Sequence, residues 1–264
     1  MDILDRFIAQ AKLNVSGGYY EIGGSCQAGV SKPSLKSALS GDGLALIAEI
    51  KHASPAGEYS FSGIDVEAIA RRFRDSGADA ISVVVEPRIF KGDLGNIPMA
   101  GKAGLPVLFK DFVISDEQIH AASALGAGCI LLIVKVADRL SLELDSMIQS
   151  AHSEGLEVLL ECYDEEEMRR AVATDADILG INNRDLRTLH TDLERTRSIL
   201  QGFDKAGRDG KPVVSESGIR SRKDAEFVRD AGADGILVGT ALWLSSDQAS
   251  KISELRSFSD SVIP

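Results

Sequence analysis

Seven charged residues of this sequence share a setting: each interrupts or ends an otherwise apolar run. ALIAEIK carries Glu49 and Lys51, AISVVVE ends in Glu86, PVLFKD carries Lys110 and CILLIVK ends in Lys135. EVLLEC carries Glu161, PVVSES carries Glu216 between Ser215 and Ser217, and ILGIN ends in Asn182. Side chains of a strand alternate, so Glu49 and Lys51 project to one side, roughly 6 to 7 Å apart along it. Charges at the ends of buried runs are costly to desolvate unless they meet a partner or a ligand. Lysines and carboxylates gathered around one pocket also shift each other's pKa values, which suits general acid and base chemistry. One buried ion pair alone is an ordinary structural feature. Recurrence of the pattern down the chain turns the reading toward a site, with Lys135 and Glu86 the two best explained as structural.

A second signal follows the last two apolar runs, where Ser217-Gly218-Ile219 and Gly239-Thr240 occur. A glycine there serves a plain turn, but it also lets backbone N–H groups approach an anion closely. Two such glycines at neighbouring elements favour a phosphate.

The elements that position these residues alternate. Strand-like runs cover 45–51, 80–86, 106–111, 129–135, 157–162, 178–182, 212–217 and 235–240, and all are rich in Val, Ile and Leu, as parallel strands covered on both faces require. Helical patterns lie between them. Val66, Ile69, Ala70 and Phe73 keep helical spacing, with Asp65 as the cap and Gly77 at the end. Ser115 and Gln118 form a candidate capping box, Asp164 opens a helix carrying Met168, and Ser221 opens one carrying Ala225 and Val228. The joint Gly77-Ala78-Asp79 returns as Gly232-Ala233-Asp234, with Gly126-Ala127-Gly128 as a variant, which suggests one repeated unit. Eight such units predict an α/β protein, a single (β/α)8 TIM barrel over residues 45–264, with its active site at the carboxyl ends of the strands. Residues 1–44 form a short N-terminal helical extension: a helix from Asp2 to about Leu13, then a passage kept irregular by Gly17, Gly18, Gly23 and Gly24. No GxGxxG follows the first strand, which removes the main support for a dinucleotide fold.

Composition narrows the class further. The 264 residues carry 29 basic and 40 acidic side chains, a net charge of −11, which disfavours non-specific nucleic-acid binding. No apolar run nears the ~20 residues of a membrane helix, and the charged start MDILDRFIAQAK lacks the core of a signal peptide, so no membrane and a cytoplasmic location are expected. Cys26, Cys129 and Cys162, and His52, His120, His152 and His190, have no metal-ligand spacing, so no metal is expected.

The motifs IAEIKHASP, EPRIFKGDL, LFKDFVISDEQI, ILLIVK, LLECYDEEE, GINNRDL, VVSESGI and VGTAL together resemble the indole-3-glycerol-phosphate synthase family of tryptophan biosynthesis, from about Leu44 to Leu244. The resemblance implies a lyase that closes the indole ring of a carboxyphenylamino-deoxyribulose phosphate, releasing carbon dioxide and water, with no metal or organic cofactor. Its partner is that small sugar phosphate with an anthranilate moiety, and it leaves room for contacts with other enzymes of the tryptophan pathway. By the same resemblance Lys110 is the general acid at the ketone oxygen and Glu161 the general base. Lys51, paired with Glu49, holds the substrate's carboxylate and takes part in acid catalysis, and which lysine protonates the leaving hydroxyl stays open. Asn182 and Glu216 orient the ribulose hydroxyls and the base, with Ser217 nearby, and Arg184 supports the charge network. Ser54, Pro55, Phe90, Phe112, Leu131 and Leu186 line the substrate, while Ser217, Gly218, Gly239, Thr240 and Lys51 take the phosphate.

Some positions depart from that family's pattern. His52 stands where an arginine is common, Ala56-Gly57-Glu58 lacks a basic residue, and Val85 and Phe109 differ while staying apolar. Three other readings remain: a phosphoribosylanthranilate isomerase, which relies on a first-strand cysteine absent here; a Schiff-base aldolase using Lys110 or Lys51; and a catalytically silent sugar-phosphate binder on the same barrel.

Overall fold

The structure, a computed structural model, describes residues 2–22, 32–41, 43–185 and 187–258. Gly23, Gly24, Cys26 and Leu186 lie outside the described residues. The expected strands form: β1 (Ala45–Ile50), β2 (Ala80–Val84), β3 (Val107–Lys110), β4 (Cys129–Ile133), β5 (Glu157–Cys162), β6 (Ile178–Asn182), β7 (Val213–Glu216) and β8 (Gly235–Val238). They pair in sequence order, all parallel, and β8 returns to β1 through the register Ala45↔Gly235 to Ala48↔Val238, closing the barrel. Most strands stop one or two residues before their apolar run does, so Lys51 and Glu86 stand just past the last ladder residue.

Alternation along each strand divides the core in two. Leu46, Ala48 and Ile50 of β1, with Phe109, Leu132, Leu160 and Ile181 from other strands, pack outward against the helices. Ala45 and Ile47, with Leu108, Leu131, Leu159, Ile178, Val214 and Leu237, fill the barrel interior. Glu49, Lys110, Glu161, Asn182 and Glu216 share the parity of that interior set, so the period of two aims all five inward near the carboxyl end. Two glycines make room for them. At Gly180 a Cβ would lie 2.6 Å from Glu216 Oε1 and 2.8 Å from Leu159 Cδ2, and at Gly239 it would collide with the Glu49 carboxylate.

The repeated joint has a physical reason. Gly77, Gly126 and Gly232 hold φ of 100°, 92° and 103°, left-handed backbone that ends a helix. The aspartates then secure the start of the neighbouring strand: Leu46 N donates to Asp79 Oδ2 at 2.8 Å and Val213 N to Asp234 Oδ2 at 2.9 Å. Asp65, Asp164 and Ser221 cap their helices as expected. The Ser115–Gln118 capping box does not form. Gln118 is buried and spans the loop before the helix instead, accepting from Ile114 N at 2.8 Å and donating to Phe112 O at 3.1 Å.

The segment before β1 covers both ends of the barrel. Helix Ile3–Ser16 lies at the carboxyl end, where Asn14 Nδ2 donates to Glu86 Oε1 at 3.1 Å. Tyr20 OH donates to Asp111 Oδ2 at 2.6 Å and Tyr19 OH to Val85 O at 3.0 Å. At the amino end a short helix, Leu35–Leu39, is unannounced by the sequence pattern; Glu157 at the start of β5 accepts from Leu35 N at 2.7 Å, and Leu39 packs on Gly235. Among the described residues no helix is long and apolar enough to cross a membrane.

Candidate active site

Glu49, Lys51, Lys110, Glu161 and Asn182 line one cleft at the carboxyl end of the strands, and Glu216 is buried against Lys110 without lining it. Glu49 lies between two ammonium groups, with Lys51 Nζ at 2.7 Å from Oε1 and Lys110 Nζ at 3.2 Å from Oε2. Lys110 also donates to Glu216 Oε2 at 2.9 Å. Its side chain is 19% exposed and that of Glu216 1%, so the network is shielded yet the ammonium reaches the cleft. Burial by itself would raise the Glu49 carboxyl, but Lys51 and Lys110 outweigh it and hold it at about 2. Burial would likewise depress Lys110, and the charges of Glu216, Glu49 and Glu161 overcome this and hold it well above the ordinary lysine value.

Glu161 goes the other way. Burial pushes its carboxyl up, the charge of Glu216 pushes further, and Lys110 with a hydrogen bond from Asn182 only partly opposes them. An always-charged lysine and a carboxyl raised above its usual range therefore share one interior layer, the pattern of an acid and a base set apart by environment. Asn182 is oriented by its own loop, Oδ1 accepting from Arg184 N at 2.9 Å.

Opposite the charges the walls are aromatic. Phe90 and Phe112, 6.4 Å apart, face the cleft, and Leu131 lies on it. Phe7 of the N-terminal helix joins them, stacked on Phe112 at 4.7 Å and tilted against Phe90 at 5.8 Å. Ser54 and Pro55 after β1 and Arg184 after β6 complete this part of the wall, and Ser217, Gly218, Gly239 and Thr240 form the far end. Ser217 holds φ of 66° and Gly218 of 89°, a left-handed pair that is rare for serine. Asn183 fixes it, with Nδ2 donating to Ser215 Oγ, Glu216 O and Ser217 O at 3.0 Å each.

The two charges that the sequence reading set aside as structural have partners of their own away from Lys110, although Glu86 also lines the cleft. Glu86 accepts from Arg88, Ile89 and Phe90 backbone N–H groups, so it shapes the loop that presents Phe90. Lys135 does not end a strand; it lies in the first turn of helix Val134–Leu140, 3.6 Å from Glu167 and over the Tyr163 ring at 3.9 Å. His52 turns to Asn96 Nδ2 at 3.1 Å, off the cleft, and Ser54 Oγ bonds Glu58 within the first loop at 2.8 Å. Cys129 and Cys162 are buried thiols. Among the described residues no cluster of His, Cys, Asp and Glu is arranged for a metal.

Sequence reasoning missed Phe7, Asp111 and Asn183. Asp111 and Asn183 sit inside the quoted motifs, beside Lys110 and Asn182, and Phe7 lies on the apolar face Leu4-Phe7-Ile8-Ala11. That face announced a packed helix without saying that it packs on the cleft.

A closed barrel with a buried lysine–carboxylate network at the carboxyl ends of its strands defines the class: a (β/α)8-barrel enzyme. Solved structures agree on the fold, including a thiamine phosphate pyrophosphorylase from Pyrococcus furiosus (TM-score 0.55, 21% identity, 81% of this chain and 94% of that one) and one described as native KDPGal (TM-score 0.57, 18% identity, 80% and 92%). The sequence profile of indole-3-glycerol phosphate synthase matches residues 5–255. A protein of that name from Exiguobacterium sibiricum is 40% identical over 253 residues, covering 94% of this chain and 95% of its own length. Another from Methanothermobacter marburgensis is 37% identical over 222 residues, 84% of this chain and 77% of its own. The chain belongs to the indole-3-glycerol phosphate synthase family, decarboxylating lyases of tryptophan biosynthesis that act on a small-molecule substrate.

Proposed function

We propose that this cleft closes the indole ring of a carboxyphenylamino-deoxyribulose phosphate, with Lys110 as general acid and Glu161 as general base. The observation that carries the assignment is the three-way contact of Lys110 with Glu49 and Glu216, facing a carboxyl raised by burial. Attack of the aromatic carbon on the ketone makes a carbon–carbon bond and puts negative charge on the ketone oxygen, which the Lys110 proton neutralises. Loss of carbon dioxide from the attacking ring carbon, whose bonding pair returns to the ring, and departure of the new hydroxyl as water then complete the indole. Glu161 takes the proton whose removal drives that dehydration. Glu49 holds both lysines, so Lys51 and Lys110 are the two candidates for protonating the leaving hydroxyl, and Lys51 also meets the substrate's carboxylate and phosphate with Arg184.

Asn182, Glu216 and Ser217 orient the sugar hydroxyls and the base. Phe90, Phe112, Leu131, Pro55 and Ser54 hold the anthranilate ring, joined by Phe7. The phosphate lies against Ser217, Gly218, Gly239 and Thr240, where two of the residues have no Cβ and the backbone is approachable. We read residues 45–264 as the catalytic barrel and 1–44 as the extension that supplies Phe7, in a cytoplasmic enzyme of the tryptophan pathway.

The test is the rise of indole fluorescence with that substrate and no metal added. The parent turns over, while Lys110→Ala and Glu161→Ala each lose roughly 10² to 10⁴ in kcat and still bind substrate. Binding by the parent without turnover would leave a silent sugar-phosphate binder, and a borohydride-trapped adduct on Lys110 or Lys51 would favour the Schiff-base mechanism.

A further inference from the structure

The loop after β1 folds back on itself as a miniature hairpin. Ala53 bridges Ser60, Ser54 N donates to Tyr59 O at 3.0 Å, and Phe61 N donates to His52 O at 2.8 Å. Its return arm brings Tyr59 and Phe61 onto Trp243, which follows β8. Tyr59 stacks on Phe61 at 5.4 Å and on Trp243 at 6.3 Å, Phe61 lies 5.5 Å from Trp243, and Trp243 Nε1 donates to Glu49 O at 2.9 Å. Three rings thus fasten the first loop to the segment that begins with Thr240.

Tyr59 is 8% exposed, and its hydroxyl is buried without a hydrogen bond of normal geometry among the described residues. A buried hydroxyl in that state is destabilising unless something completes it. The Thr240 side chain is close enough to act on it as a hydrogen-bonding group, although the bond is not made, and the charges that act on it are those of Glu49, Glu58 and Arg184. Thr240 itself lines the cleft, whereas Tyr59 stands behind it.

We propose that Tyr59 is a positioning residue for the phosphate end of the site: its hydroxyl donates to Thr240 Oγ1 and turns the Thr240 proton toward a bound phosphate oxygen. The ring cluster fixes the tyrosine, so its unbonded hydroxyl gains a partner when a bound anion orders Thr240. The inference rests on the phosphate reading above and on nothing about the ring-closing chemistry. It also ties Ser54 and Pro55, which the same hairpin places on the cleft wall, to occupancy of the phosphate end.

Inorganic phosphate is the probe, with its dissociation constant measured by calorimetry and its competitive inhibition measured against substrate. Tyr59→Phe keeps the rings and removes only the hydroxyl, so thermal unfolding stays near that of the parent. Phosphate binding weakens about 3- to 10-fold, as for loss of one neutral hydrogen bond, and KM rises by the same factor with kcat within twofold. In a Thr240→Val background the same change has no further effect, whereas in Thr240→Ser, which keeps the hydroxyl, it returns. Phosphate binding unchanged by Tyr59→Phe but weakened by Thr240→Val overturns the role of Tyr59 and leaves the phosphate site standing. Phosphate binding unchanged by Thr240→Val overturns both. An equal loss from Tyr59→Phe in all three backgrounds, or a fall in kcat with KM constant, shows a structural role and also overturns it.

Discussion

Glu216→Gln separates the electrostatics of the base from its mere presence. A Cβ at Gly180 would lie 2.6 Å from Glu216 Oε1 and 3.3 Å from the Glu161 Cα, which puts that oxygen within about 6 Å of the Glu161 backbone. Two unit charges at about 6 Å and an effective dielectric constant of about 20 repel by roughly 3 kcal/mol, or about 2 pKa units. Lys110 sits beside Glu216 at 2.9 Å and offsets part of that field, so removing the Glu216 charge lowers Glu161 by about 1 to 2 units. The glutamine oxygen still accepts from Lys110, and Glu49 still holds it. In the parent, the acid limb of kcat/KM falls where Glu161 is protonated, above the ordinary carboxylate range because burial and Glu216 raise it. In Glu216→Gln that limb moves to lower pH by about 1 to 2 units, read from initial rates of indole fluorescence. Stability moves with it. A carboxyl raised in the folded state leaves stability intact below its unfolded value of 4.5 and erodes it as pH rises from there to the folded value, so the variant shows a shorter decline in urea midpoints above pH 4.5. An acid limb that stays in place, or one that lies near pH 4 in the parent, refutes the reasoning.

Two further substitutions probe the segment before the barrel. Tyr20→Phe removes the bond to Asp111, a carboxyl that burial raises to about 7 despite that bond, and destabilises the fold by about 1 to 3 kcal/mol. Without the donor Asp111 rises further, so in urea titrations the deficit relative to the parent widens as pH passes upward through 7; a deficit independent of pH would contradict this. Phe7→Ala strips the ring stacked on Phe112 at 4.7 Å and lowers stability by about 3 to 5 kcal/mol at most, since the helix end can relax. Its KM rises severalfold while the pH limbs stay fixed; an unchanged KM would place Phe7 outside the substrate site.

The order of elements, the inward face of each strand and the charged layer were all legible in the sequence, because they follow from periodicity. Parity along a strand is local, so Glu49, Lys110, Glu161, Asn182 and Glu216 could be assigned to one face once the barrel was inferred, and Asp79 and Asp234 announced their joints by repetition. What the tertiary structure decided is which charge meets which. Lys110 reaches across to Glu49 and Glu216 through barrel closure, and no spacing along the chain encodes a contact over |i−j| of 106. Lys135 and Glu86 looked alike in sequence but turned to Glu167 and to a loop, since a helix starting directly after β4 and a turn after β2 redirect them. The placement of Phe7 on the cleft, of Tyr20 against Asp111, and of Tyr59 beside Trp243 likewise required the folded chain. Periodicity tells which side a residue faces, while long-range packing alone chooses its neighbour.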